Sequence, residues 1–103
     1  MDIIRSKISS RCTDGSIVNE YTLDTHVPQG FVDHLTGFGT VTQKKLAGSN
    51  LYTFENAGER WISMKGMTND TIIYATYVKT DSNRARDYLI ALFSSYVDDG
   101  KKV

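Results

Sequence analysis

The sequence predicts an α+β fold of two layers, an antiparallel sheet of about five or six strands with two helices on one face. Three observations carry that reading. Several runs alternate apolar and polar residues, as half-buried strands do. Four such runs follow one another between residues 40 and 79, separated only by short polar breaks. The chain then closes on a segment whose apolar positions recur at helical spacing. Helices set against an antiparallel sheet let each element bury one face.

The first strand is expected over residues 3–9. Ile4, Ile8 and Cys12 also stand four apart, as on a helix, but the serines between them weaken a helix. Thr13-Asp14-Gly15-Ser16 is a turn cluster, and Asp14-Gly15 closes a hairpin. From Ile17 to Asp24 the chain alternates, with Ile17, Tyr21 and Leu23 on one face and Val18, Glu20 and Thr22 on the other. Pro28 to Phe38 reads as a short helix. Proline is tolerated in a first turn, Phe31, Leu35 and Phe38 keep helical spacing, and Gly37 and Gly39 supply the stop.

The next four strands are expected at about 40–46, 50–55, 60–67 and 71–79. The breaks Ala47-Gly48-Ser49, Asn56-Ala57-Gly58-Glu59 and Thr68-Asn69-Asp70 are short enough for hairpins. A two-residue Asn69-Asp70 turn sets Gly66 opposite Ile73, Met64 opposite Ala75 and Ile62 opposite Tyr77, an apolar face for the helices. The other face then carries Trp61, Ser63, Lys65 and Met67 beside Ile72, Tyr74, Thr76 and Val78. A bulged turn at 56–58 puts Tyr52 and Phe54 in the core. A two-residue Ala57-Gly58 turn puts them on the open face, because a one-residue slip exchanges the faces. Asp81 or Ser82 caps the last helix, whose stripe is Ala85, Leu89, Leu92, Phe93 and Tyr96.

At 103 residues the chain is expected to be one domain, 1–97, followed by a flexible polar tail, 98–103. Twelve basic residues balance twelve acidic ones, which disfavours nucleic acid as a partner, since that affinity comes from Lys and Arg on phosphates. Cys12 is the single cysteine, so no internal disulfide forms, which fits a reducing cytoplasm. The charged N-terminus resembles no signal peptide, and no apolar run approaches the ~20 residues of a membrane span.

Little points to catalysis. Nothing places Cys12 near His26 or His34, and a lone intracellular cysteine usually packs as a small hydrophobe. The two histidines stand eight apart without a second cysteine, so no metal site is expected. Gly37-Phe38-Gly39, Ala47-Gly48-Ser49 and Gly66-Met67-Thr68 lack the strand–loop–helix context of a phosphate loop and read as turns. No cofactor is expected. Lys44-Lys45, Arg84 and Arg86 read as solvated charges.

The order strand, helix, four strands, helix resembles one repeat of the TATA-binding-protein-like fold over residues 16–97. The run Leu51-Tyr52-Thr53-Phe54-Glu55-Asn56-Ala57-Gly58-Glu59-Arg60-Trp61-Ile62-Ser63-Met64-Lys65-Gly66 is similar to that family's hairpin of an aromatic-ending strand, a glycine turn and a strand ending in Gly. Small single-repeat microbial proteins of this fold are the nearest likeness. TATA-binding proteins carry two repeats and a basic surplus, and Phe54 matches their wedge phenylalanines in type only. The resemblance therefore implies a curved sheet backed by helices and not DNA binding. A cystatin-like sheet wrapping a helix accommodates the same order.

Three functions follow as expectations. The first is a non-catalytic binding module using the open sheet face, its anchors Trp61 and Tyr74, with Lys65, Ser63 and Thr76 for polar contacts and a protein, or a second copy of the chain, as partner. The second is a nucleic-acid module with Lys44, Lys45 and Lys65 on one face. The third is a small-molecule binder or enzyme with a pocket lined by Phe31, Phe38 and Tyr77.

Overall fold

A computed structural model describes residues 3–11, 13–56 and 61–96. The strands are β1 Ile3–Arg11, β2 Ser16–Leu23, β3 Gly39–Leu46, β4 Ser49–Asn56, β5 Ile62–Met67 and β6 Ile72–Val78. The helices are α1 Gln29–Leu35 and α2 Ser82–Ser95. The strands form one antiparallel sheet in the order β1-β2-β6-β5-β4-β3. Both helices lie on one face, as the alternation requires. The expected tail at 98–103, Cys12 and most of the β4–β5 connection lie outside the described residues.

Alternation decides which side chains turn inward. Ile17, Tyr21, Leu23, Tyr52, Phe54, Ile62, Met64, Ile73, Ala75 and Tyr77 are buried on the helix side. Ile62 pairs with Tyr77, Met64 with Ala75 and Gly66 with Ile73, the register expected from a two-residue turn at Asn69-Asp70. Tyr52 and Phe54 are in the core, as the bulged register expected. Against them pack Phe31, Val32 and Leu35 of α1 and Ala85, Leu89, Leu92 and Phe93 of α2. The helices meet through aromatics. Phe31 lies 5.4 Å from Phe93 and 5.4 Å, edge-on, from Tyr96.

Local chemistry sets the connections. Ala47 (φ 36°) and Gly48 (φ 89°) make the two-residue turn joining Leu46 to its partner Ser49, with positive φ at both central positions. Asn69 takes φ 68°, a conformation asparagine tolerates. That turn is tied to the strand–helix connection before α1, since Val27 N–H donates to Asp70 O and Asn69 N–H to Val27 O, each at 2.8 Å. Gly66 is required by its neighbour. A Cβ there would lie 2.7 Å from Tyr52 Oη and 3.2 Å from Ile72 O.

Three expectations need correction. α1 ends at Leu35 rather than near Phe38, because the chain turns at once, with Thr36 N–H, Gly37 N–H and Phe38 N–H returning to carbonyls three residues back. Phe38 is therefore 38% exposed and not a core residue. Asp81 stands at the N-cap position of α2 without a side-chain cap bond, because a 3-10 turn, Lys79–Asp81, runs directly into the helix.

Candidate interaction face

The second face of the sheet is covered by no other described element. Cross-strand pairing arranges its side chains in rows. Lys7, Glu20, Tyr74, Lys65, Thr53 and Thr42 form a row across all six strands. Beside it, towards the Ser16 end of β2, run Ser10, Val18, Thr76, Ser63, Glu55 and Thr40. On the other side lie Arg5, Thr22 and Ile72, with Met67, Leu51 and Lys44 on the neighbouring strands. Ile72, Met67, Leu51, Val18 and Tyr74 are half-buried by their neighbours. The face is thus a half-buried apolar strip with a hydroxyl-rich field beside it.

That field is slightly hollow. An open depression of about 430 Å³ is lined by Thr40, Thr42, Thr53, Glu55, Ser63, Lys65 and Thr76, with parts of Phe54 and Met64 beneath. Across β6 from it, Lys7 Nζ lies 3.6 Å from Glu20 Oε2, and Glu20 is largely screened from solvent. Tyr74 stands between Glu20 and Lys65. Burial, then the adjacent Glu20 carboxylate and its hydrogen bond, hold the Tyr74 phenol above its usual range.

Four of the five sequence-predicted site residues share this face: Ser63, Lys65, Tyr74 and Thr76. Trp61 does not. It precedes β5, where alternation no longer governs direction, and its ring packs on the helix side. It meets Tyr88 of α2 edge-on at 5.5 Å, and the Arg84 guanidinium lies 4.1 Å from the ring centroid. Trp61 is thus an attachment of α2 to the sheet. Arg84 and Arg86, read as solvated, divide accordingly: Arg84 lies over Trp61, whereas Arg86 approaches Asp87 at 3.9 Å on the exposed surface.

Of the three lysines expected together, Lys44 and Lys65 are on the open face and Lys45 is not. Lys45 pairs with Asn50, whose side-chain amide donates to Gln29 Oε1 of α1 on the helix side. The residues missed by sequence reading are Thr40, Thr42 and Thr53. Continuing the register through the Ala47-Gly48 turn would have found them, because that turn pairs Thr42 with Thr53 and Thr40 with Glu55.

The pocket expected between helices and sheet takes a different form. Phe31 is wholly buried against Phe93 and Tyr96, and Phe38 is on the surface beside His34 at 5.1 Å. A groove of about 270 Å³ instead separates α2 from β1 and β2, lined by Ile8, Asn19, Tyr21, Tyr77, Asn83 and Arg86 among others. Its floor is a polar cluster in which Asn19 Nδ2 donates to Tyr77 Oη at 3.1 Å and Tyr21 Oη at 3.3 Å. Burial, then the hydrogen bond and charge of Tyr77, push the Tyr21 phenol well up. His34, on the edge of α1, makes a 3.0 Å hydrogen bond with Ser95 Oγ and stacks among Phe31, Phe38 and Tyr96, a structural role.

No family model, curated protein or solved structure matches the chain. Among the described residues no helix is long and apolar enough to cross a membrane.

Proposed function

We propose that this protein is a non-catalytic binding module whose working surface is the open face of its sheet, and that the partner is a protein. One observation supports this reading above the others. The four inner strands send their buried residues to one side, leaving a continuous second face in which half-buried Tyr74, Ile72, Met67 and Leu51 adjoin the hydroxyl-lined depression. Protein interfaces combine such an apolar centre with polar groups around it. A sheet of this size offers an interface of roughly 800 Å² per partner. Tyr74 is the anchor, Lys65 supplies a charge, and Ser63 and Thr76 supply hydrogen bonds.

The test is a photo-crosslinking residue placed at Thr76, with the same residue at Ile90 on the outer surface of α2 as the control. Protein adducts formed in cells from position 76 and not from position 90 support the reading. Adducts from position 90 alone, or none from position 76, defeat it.

A second reading is a nucleic-acid module of the TATA-binding-protein-like kind. It is favoured by Arg5, Lys7, Lys44 and Lys65 sharing the open face with two carboxylates, Glu20 and Glu55, although the whole chain is neutral. It requires binding to oligonucleotides that weakens steeply with salt. Affinity indifferent to salt removes it.

A further inference from the structure

We infer that the partner on the open face is a second copy of this chain, packed face to face about a two-fold axis running along β6. This inference rests on the open-face reading above and names its occupant. Two sheets that pack face to face keep their strands nearly aligned, about 30° apart, with their inner side chains interdigitating. A two-fold axis between such sheets lies in the interface plane. If it follows β6, each strand on one side of β6 faces the strand equally far on the other side in the partner. β2 then faces β5 of the partner, and β1 faces β4.

One pair of charges on the face, Glu20 and Lys65, obeys that exchange, and Glu20 already holds Lys7 at 3.6 Å. Glu20 and Lys65 flank Tyr74 in one cross-strand row, one on each neighbouring strand. Each therefore stands about 4.8 Å from the β6 line, on opposite sides. The two-fold sets Glu20 of each copy against Lys65 of the other, so the ion pair is made twice. Lys65 is exposed and makes no ion pair among the described residues. Tyr74, Thr76 and Ile72 lie on the axis and meet their own counterparts, as an isologous interface requires.

Shape agrees with charge. The depression lies on the β5–β4–β3 side of the axis. The two-fold brings β2 and β1 of the partner over its β5–β4 part, so that Val18 enters beside Ser63. Five strands of six to nine residues overlap across that axis, with β3 lying beyond it, which gives roughly 600 Å² per copy, the lower end of a specific interface. The half-buried Ile72, Met67 and Leu51 then lose their remaining contact with water.

The experiment is sedimentation equilibrium on the full chain from 1 to 200 μM, with wild type, Lys65→Glu, Glu20→Lys, the double exchange, Thr76→Arg and Ile8→Arg. Thermal melts of each variant separate dissociation from unfolding. Wild type is expected to be a dimer. Each single charge reversal should raise the dissociation constant at least about tenfold, because it acts at two symmetric contacts. The double exchange should restore most of the loss, and Thr76→Arg on the axis should give a folded monomer. A monomeric wild type at 200 μM overturns the inference. So does a dimer that survives Thr76→Arg and is broken by Ile8→Arg, which would place the contact at β1. In either case crosslinks from position 76 to another protein leave the open-face reading standing, and their absence removes that reading as well.

Discussion

Replacing Gly66 by alanine tests the central packing of the sheet. Gly66 pairs directly with Tyr52 across β4 and β5, and the Tyr52 ring lies over it. An alanine Cβ would sit 2.7 Å from Tyr52 Oη, 3.0 Å from Tyr52 Cζ and 3.2 Å from Ile72 O. Tyr52 is wholly buried, so its ring has nowhere to retreat without disturbing the core. Overpacking of this kind costs about 1–3 kcal/mol, against which alanine restores about 0.5–1 kcal/mol by restricting the unfolded chain. The net expectation is a loss of about 1–2 kcal/mol, or roughly 5–15 °C in Tm for a domain of this size. Tyr52→Phe supplies the internal control. The Tyr52 hydroxyl is buried without a hydrogen-bond partner among the described residues, so removing it should be neutral or stabilising by up to about 1 kcal/mol. In the Tyr52→Phe background the alanine should cost about half as much, since the closest contact is gone. Urea unfolding of the four proteins in the cycle gives the coupling directly. An alanine that costs nothing, or costs the same with and without the hydroxyl, refutes the explanation.

Other expectations follow from the same structure. Ala47→Asn should raise stability by about 0.5–1 kcal/mol in urea unfolding, because asparagine bears positive φ more easily than alanine and Asn-Gly suits this turn. Trp61→Ala should lower stability by about 2–3 kcal/mol by removing the Tyr88 and Arg84 contacts, and should leave the mass of the folded protein in solution unchanged. Burial holds the Tyr21 and Tyr52 phenols above their ordinary value, so the unfolded chain releases those protons first. These two phenols should therefore leave stability unchanged up to pH ~10 and lower it as pH rises beyond that. Urea midpoints at pH 8, 10 and 11.5, read beside tyrosinate absorbance, check this, and equal midpoints at all three would contradict it.

The α+β fold was legible because strand alternation and one turn reinforce each other. Asn69-Asp70 fixes the register of β5 on β6, and that register alone sorts Ile62, Met64 and Gly66 from Ser63 and Lys65. The site was legible only as far as that pairing extends. Trp61 was misplaced because parity holds inside a ladder, and the ladder begins at Ile62. The threonines of β3 and β4 were passed over because they are chemically plain one at a time, and their shared face emerges only from pairing across Ala47-Gly48. Phe38 kept helical spacing without staying in the helix, since spacing reports where a side chain would point if the helix continued.

The strand order also shapes how the chain finds its structure. β3 to β6 form from successive hairpins, each closing a loop of a few residues. β2 instead joins β6 across the whole intervening chain, from Leu23 to Ile72, and so carries the largest loop-closure entropy in the sheet. The four-strand unit can therefore assemble locally, whereas the N-terminal hairpin docks only once the outer edge of β6 exists to receive it. Until then β6, the run richest in β-branched and aromatic residues, presents an unpaired edge. The interval before β2 arrives is when this chain is most exposed to pairing with the wrong strand.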